Sequence, residues 1–216
     1  MALITWLGHS CFKIESKGYA VLLDPYSDGA VPGLKELREE ADLVLCSHEH
    51  GDHNARELIR ITEKEPAAVN PFTITTLESF HDHHEGAHRG KNTIHILDDG
   101  NCRIAHMGDQ GCIPEQEQLE QLQSVDVLLI PVGGHYTIDG AEAAELTRKI
   151  APGAVVPMHY RDPERGFGYD VISTPEAFTE EMGYSISLDT SILEAGKTDP
   201  SFTEVLLLKP QMLKKQ

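Results

Sequence analysis

The sequence predicts one α/β domain over residues 1–216, and three observations carry that expectation. The chain has 216 residues, 40% of them hydrophobic, a size at which one well-filled core is the default. Short apolar runs alternate with amphipathic helical spacings along its length, the pattern of strands and helices packed in layers. No low-complexity linker, short repeat or break in composition divides it.

In chain order, residues 3–7, 11–15 and 19–23 read as a β-meander, with Phe12 and Ile14 alternating against Lys13 and Glu15 and a turn at Lys17-Gly18. Leu34, Leu37 and Ala41, spaced three and four apart, predict a short helix before a buried strand at 43–46. Ala55, Leu58, Ile59 and Thr62 predict a helix ending before Pro66. Strands follow at 72–77, 93–97 and 102–107, the last two joined by a hairpin turn at 98–101. Leu119 and Leu122 mark a helix, 127–130 a strand, Ala143, Leu146 and Ile150 a helix, and 154–157 a strand. Ser173-Thr174-Pro175-Glu176 has the capping-box pattern, predicting a helix to Gly183. A final strand at 202–208 leads to a frayed lysine-tipped tail at 209–216.

The net charge of −17 repels a phosphate backbone, so no nucleic-acid partner is expected. No apolar run reaches the roughly 18 residues of a membrane span, and the start lacks the basic and apolar regions of a secretory signal. A soluble cytoplasmic protein is expected, with a homo-oligomer left open. Cys11, Cys46, Cys102 and Cys112 show no tight pairing pattern and read as reduced thiols, Cys46 as a core residue.

Twelve histidines stand out, and most fall in clusters. Four buried strands run into polar residues of metal-binding type: Asp24, His48, Asp109 and His159. Ligand sites gather beyond the carboxyl ends of strands, so one shared pocket would explain all four. The strongest local signal is His48-Glu49-His50-Gly51-Asp52-His53. Two imidazoles at alternate positions of an extended loop can grip one cation, while Asp52 and His53 reach a second. Glu49 is expected to point away.

These residues resemble the metallo-β-lactamase superfamily, whose hallmark is His-x-His-x-Asp-His after a strand. Flanking pieces narrow the resemblance to small metal-dependent hydrolases related to the phosphorylated-ascorbate lactonases: Gly8-His9-Ser10, Asp24-Pro25, Arg89-Gly90-Lys91-Asn92-Thr93, His106-Met107-Gly108-Asp109, Pro131-Val132-Gly133-Gly134 with Thr137, and Pro157-Met158-His159-Tyr160. The resemblance runs from about residue 3 to about residue 160. It implies an αββα sandwich with a dinuclear site on one edge. It gives His48, His50 and a downstream histidine to a first metal, and Asp52, His53 and His159 to a second, with Asp109 bridging. His81, His83, His84 and His88 all compete for the downstream place; His81 is preferred because it directly follows a strand, where the family carries its ligand. His9 and Asp24 are expected behind the ligands, orienting them by hydrogen bonds, with a simple strand-end cap as the alternative for each.

His135, Tyr136, Thr137 and Tyr160 follow strand ends and are candidates for the substrate mouth, Thr137 for binding and His135 or Tyr160 for protonating a leaving group. Arg89 and Lys91, in a chain short of cations, are candidates for gripping a substrate anion. The expected cofactors are two divalent ions, zinc first, with manganese, iron or nickel as alternatives. A hydroxide bridging them would attack an ester, lactone or phosphodiester of a small anionic molecule, with Asp52 and Asp109 as the catalytic carboxylates. Competing expectations are a redox or metal-sensing protein on the same fold and a metal-dependent nuclease, the latter disfavoured by the acidity.

Overall fold

A computed structural model describes residues 1–63, 69–197 and 201–214; Pro66 and the last two residues of the expected tail lie outside them. The meander forms as expected. β1 (Ala2–Gly8), β2 (Cys11–Ser16) and β3 (Tyr19–Leu23) pair antiparallel. β4 (Glu40–Ala41) precedes β5 (Leu43–Leu45), which lies parallel to β3, and β6 (Arg60–Ile61) pairs with β4. β7 (Thr73–Phe80), β8 (Lys91–Asp98) and β9 (Arg103–His106) form a second antiparallel run. Two crossovers then build parallel strands: α1 (Gln116–Leu122) leads to β10 (Val127–Pro131), and α2 (Gly140–Ile150) leads to β11 (Ala154–Met158). α3 (Glu176–Met182) precedes β12 (Ile186–Ser187); β13 (Ile192–Ala195) returns to the edge of β1, and β14 (Glu204–Leu207) inserts between β11 and β12.

The sheets have strand orders β13-β1-β2-β3-β5 and β12-β14-β11-β10-β9-β8-β7, and one apolar cluster including Trp6, Phe12, Ile94, Ile104, Leu129 and Val156 lies between and beside them. Hydrogen bonds stitch one to the other at the site end: Thr93 N–H to the Ser47 carbonyl (2.9 Å), His95 Nε2 to the Cys46 carbonyl (3.1 Å) and His106 Nε2 to the Ser10 carbonyl (2.8 Å). α2 packs against α1, α3 and β10. Its start is fixed by a reciprocal cap in which Asp139 and Glu142 each accept the other's backbone N–H.

Two expected helices do not form. At 34–39 the chain is irregular before β4: Lys35 N–H bonds the Met212 carbonyl, and Leu34 forms an isolated bridge with Leu213, so a distant segment takes groups a helix would pair internally. At 55–62 only a 3₁₀ turn (Arg56–Leu58) forms before β6, because Arg60 and Thr62 donate to the Glu39 and Ala41 carbonyls. Leu34, Leu37 and Ile59 are nonetheless buried; their spacing marked burial, not helix. α3 begins at Glu176 with no side-chain cap from Ser173, and β12 and β13, short and half exposed, carried no readable pattern.

The sandwich delivers its strand ends to one edge. His9 follows β1, Asp24 follows β3, and His135 and His159 follow β10 and β11; all four hold φ between 47° and 55°. Left-handed backbone at non-glycine residues costs on the order of 1 kcal/mol each and persists where surrounding structure over-determines it.

Candidate metal centre

The loop after β5 and the ends of β1, β7, β9 and β11 converge on Asp109. Its Oδ2 lies 3.2 Å from Nε2 of His53, of His81 and of His159, and 3.8 Å from Nε2 of His48. One carboxylate oxygen thus sits among four imidazoles. Three overlapping groups have ligand atoms within 4.8 Å of one another: His48 with His50 and His81; His9 with Asp52, His53 and His159; and His48 with His53 and Asp109.

Local structure explains the placement of Asp109. Gly108 has φ +57°, and a Cβ there would fall 2.4 Å from both Asn92 Oδ1 and Ser47 Cβ, so only glycine admits the close approach of the two sheets. Asn92, fully buried, accepts the Asp109 N–H (3.0 Å) and donates to the Met107 carbonyl (2.9 Å) and Ser79 Oγ (2.8 Å). Asp24 organises the other wall. It accepts from Ser47 N–H (2.7 Å), Ser47 Oγ (2.6 Å) and His53 Nδ1 (2.8 Å), which turns His53 Nε2 toward Asp109. The His81 end is held by Asp82, whose carboxylate accepts four backbone N–H groups of the following loop: His84, Gly86, His88 and Arg89.

The charges are strongly coupled. Burial opposes ionisation of Asp109, but His159 and His53 hold it well below the usual carboxylate range. Burial likewise opposes the charge on Asp24, yet His106, His53 and Ser47 keep it at about 2. His53 is raised despite its burial, by Asp109 and Asp24. Burial, then neighbouring imidazoles, depresses His48 to about 3 and His9 to about 4, leaving both neutral with lone pairs free at neutral pH.

Buried ring nitrogens ordinarily find partners. Here both nitrogens of His9 and of His159, Nε2 of His48 and of His53, and Oδ1 of Asp109 have no hydrogen-bond partner. Orphaned donors of nitrogen and carboxylate type, aimed at one place, fit transition-metal cations.

Above the cluster lies a recess of about 290 Å³ lined by His50, Asp52, His81, Arg89, Asp109, Tyr136 and Tyr169. The Arg89 guanidinium lies 4.8 Å from the Tyr136 ring centroid, a cation–π contact. Tyr169 donates its hydroxyl to Asp52 Oδ2 at 3.1 Å. Sequence reasoning missed Tyr169, and the orienting network of Ser47, Asn92 and Asp82. Tyr169 stands alone in an irregular Gly-Phe-Gly-Tyr loop that no strand or helix period marks.

Several expected site residues stand elsewhere. Tyr160 is 3% exposed and packs on Trp6 and Phe167, because alternation after His159 turns it into the core; it does not reach the recess. Thr137 is buried and donates to its neighbour's carbonyl at Ile138, which commits the hydroxyl proton a substrate anion would need. His135 is exposed and meets the Tyr136 ring edge-on, outside the lining. Lys91 pairs with Glu78 at 3.2 Å and borders an adjoining cleft with Cys46, His48 and Arg89; Cys46 is half buried there rather than in the core. Glu49 does point away, to Arg56 and Asn54. His83, His84 and His88 are exposed. His9, expected behind the ligands, falls in one candidate group with Asp52, His53 and His159.

The profile of the beta-lactamase superfamily domain matches residues 3–159. A UPF0173 metal-dependent hydrolase from Thermoplasma acidophilum is 30% identical over 75% of this chain and 88% of its own length. One from Hyperthermus butylicus is 27% identical over 74% and 84%. A crystal structure from Thermotoga maritima, named as a candidate Zn-dependent hydrolase of the metallo-β-lactamase superfamily, is 28% identical and covers 96% of this chain and 98% of its own, with a TM-score of 0.73. Igni18 from Ignicoccus hospitalis, at 21% identity and a TM-score of 0.63, shares the fold. The chain therefore belongs to the metallo-β-lactamase superfamily, in the group of the UPF0173 metal-dependent hydrolases.

Proposed function

We propose that the chain is a dinuclear hydrolase of small anionic esters, lactones or phosphodiesters. The observation that carries the reading is Asp109 Oδ2 centred among four imidazoles between two separate ligand groups. His48, His50 and His81 would hold one divalent ion, Asp52, His53 and His159 the other, and Asp109 would be shared. Nitrogen and oxygen donors of this kind suit zinc first, with manganese, iron or nickel also admissible. Such ions supply Lewis-acid polarisation of the scissile group and a water oxygen activated at neutral pH.

The chain's own residues do the positioning. Asp24 fixes the His53 tautomer by accepting a hydrogen bond from Nδ1–H, and Ser47 Oγ, 2.9 Å from His48 Nδ1, does the same for His48. Asp52 and Asp109 carry negative charge that balances bound cations. Arg89 is half-buried, carries no carboxylate partner among the described residues, and is steadied on the Tyr136 face. It offers a substrate anion a bidentate partner at the mouth of the recess. Net charge of −17 disfavours polyanions over distance, whereas within about 10 Å the local cations dominate for a small one.

A panel of ester, lactone and phosphodiester substrates, run with metal analysis, tests this reading. Chelation should abolish turnover reversibly. Arg89→Ala should raise KM for charged substrates about 10-fold or more, leaving metal content and turnover of an uncharged ester near wild type. Equal losses on both would make Arg89 structural, and a preference for single-stranded RNA would overturn the substrate class.

A further inference from the structure

We propose that the two cation sites are chemically unequal because His9 is a direct ligand of the second. The inference rests on the dinuclear reading above. With His9 included, the second site gathers His9, His53, His159, Asp52 and the shared Asp109, three nitrogens and two carboxylates. The first has His48, His50, His81 and the shared Asp109, three nitrogens and one carboxylate. Four donors suit tetrahedral zinc, whereas five suit an ion that prefers five or six ligands, such as nickel, cobalt, iron or manganese.

Two observations separate His9 from an orienting residue behind the ligands, and a third shows that its ring is fixed in place. A histidine in that role holds an aligned hydrogen bond with one ring nitrogen, as His106 does to the Ser10 carbonyl at 2.8 Å; His9, 1% exposed, has no partner at Nδ1, and its Nε2 meets only the Asp52 carboxylate, outside the alignment of a hydrogen bond. Its Nε2 lies 3.3 Å from Asp52 Oδ2, and its ring centroid lies 4.1 Å from that of His159 and 5.4 Å from that of His53, inside the ligand group rather than behind it. Its backbone is held in a left-handed conformation, φ 54°, with its carbonyl taken from two sides by Trp6 Nε1 (2.9 Å) and the His159 N–H (3.4 Å). The fold therefore spends backbone strain to fix this ring at this point.

The test uses the full chain loaded with metal and reads binding, not turnover. Cobalt(II) absorbs strongly when four-coordinate and weakly when five- or six-coordinate. The wild type should therefore bind two cobalt ions, one of each spectral kind, and offered equal zinc and nickel it should retain one of each. His9→Ala should keep one ion, the strongly absorbing one, and bind the second more than about 100-fold less tightly, beyond the roughly 10–100-fold cost of losing an outer partner. His106→Gln, on the hydrogen-bonded histidine, should leave both spectra unchanged. Two strongly absorbing cobalt ions in the wild type, or a His9→Ala protein whose second ion weakens by less than that with an unchanged spectrum, would overturn the proposal. Fewer than two ions in the wild type would instead overturn the dinuclear reading. If His9→Ala does not fold, the wild-type spectrum and the zinc–nickel ratio decide alone.

Discussion

Asp24 shows how much one side chain determines in this site, and why only part of its role was legible. A strand running into Asp-Pro announced a functional carboxylate, but nothing in the sequence paired it with His53, 29 residues on. Its pKa of about 2 against an unfolded value near 3.9 means the folded state favours the charged form. That stabilisation, on the order of 2–3 kcal/mol, is complete above about pH 4 and is lost as pH falls toward 2. Asp24→Asn should therefore be less stable at pH 7 and show a flatter acid limb between pH 4 and 2 in urea unfolding. Its metal affinity should fall roughly 10–100-fold as His53 loses its orientation. An acid limb unchanged from wild type would contradict the coupling. Tyr160 teaches the opposite lesson: position after a strand end suggested chemistry, and alternation sent it to the core.

At the scale of elements, the longer strands were readable because buried runs and turn residues mark them locally, whereas β4, β6, β12 and β13 are too short or too exposed to carry a pattern. The segments at 34–41 and 55–62 were not, since their amides bond backbone far away in sequence or across a small sheet. The loop at 81–91 illustrates a device that spacing hides: a single carboxylate, Asp82, satisfies four backbone N–H groups and so fixes His81 at one end and Arg89 at the other. Asp82→Ala orphans those donors and should cost about 1–3 kcal/mol in thermal or urea unfolding. It should also weaken one of the bound ions and raise KM for charged substrates. If stability falls while both metal binding and KM stay at wild type, the loop is scaffold only.

At the scale of the whole molecule, two sheets bring residues from six distant stretches to one edge, and the ends of β1, β3, β9 and β11 supply His9, Asp24, Asp109 and His159. The His-x-His-x-Asp-His loop and the Gly-Asp after β9 were legible because metal-binding residues of that density have no structural motive. The proposed place of His9 among the ligands was not, since sequence alone cannot separate a ligand from its orienting neighbour. A site formed only in the folded chain couples binding to stability, so divalent ions at about 100 times Kd should add about 2.7 kcal/mol per site and raise Tm accordingly. All four cysteines are free thiols. The most direct test is the metal content of chelated, tag-free protein reloaded and analysed per chain. Close to two equivalents are predicted for the wild type, and His81→Ala should lose one. One equivalent or none, or a His81→Ala protein that keeps both while His83→Ala or His84→Ala loses one, would contradict the account.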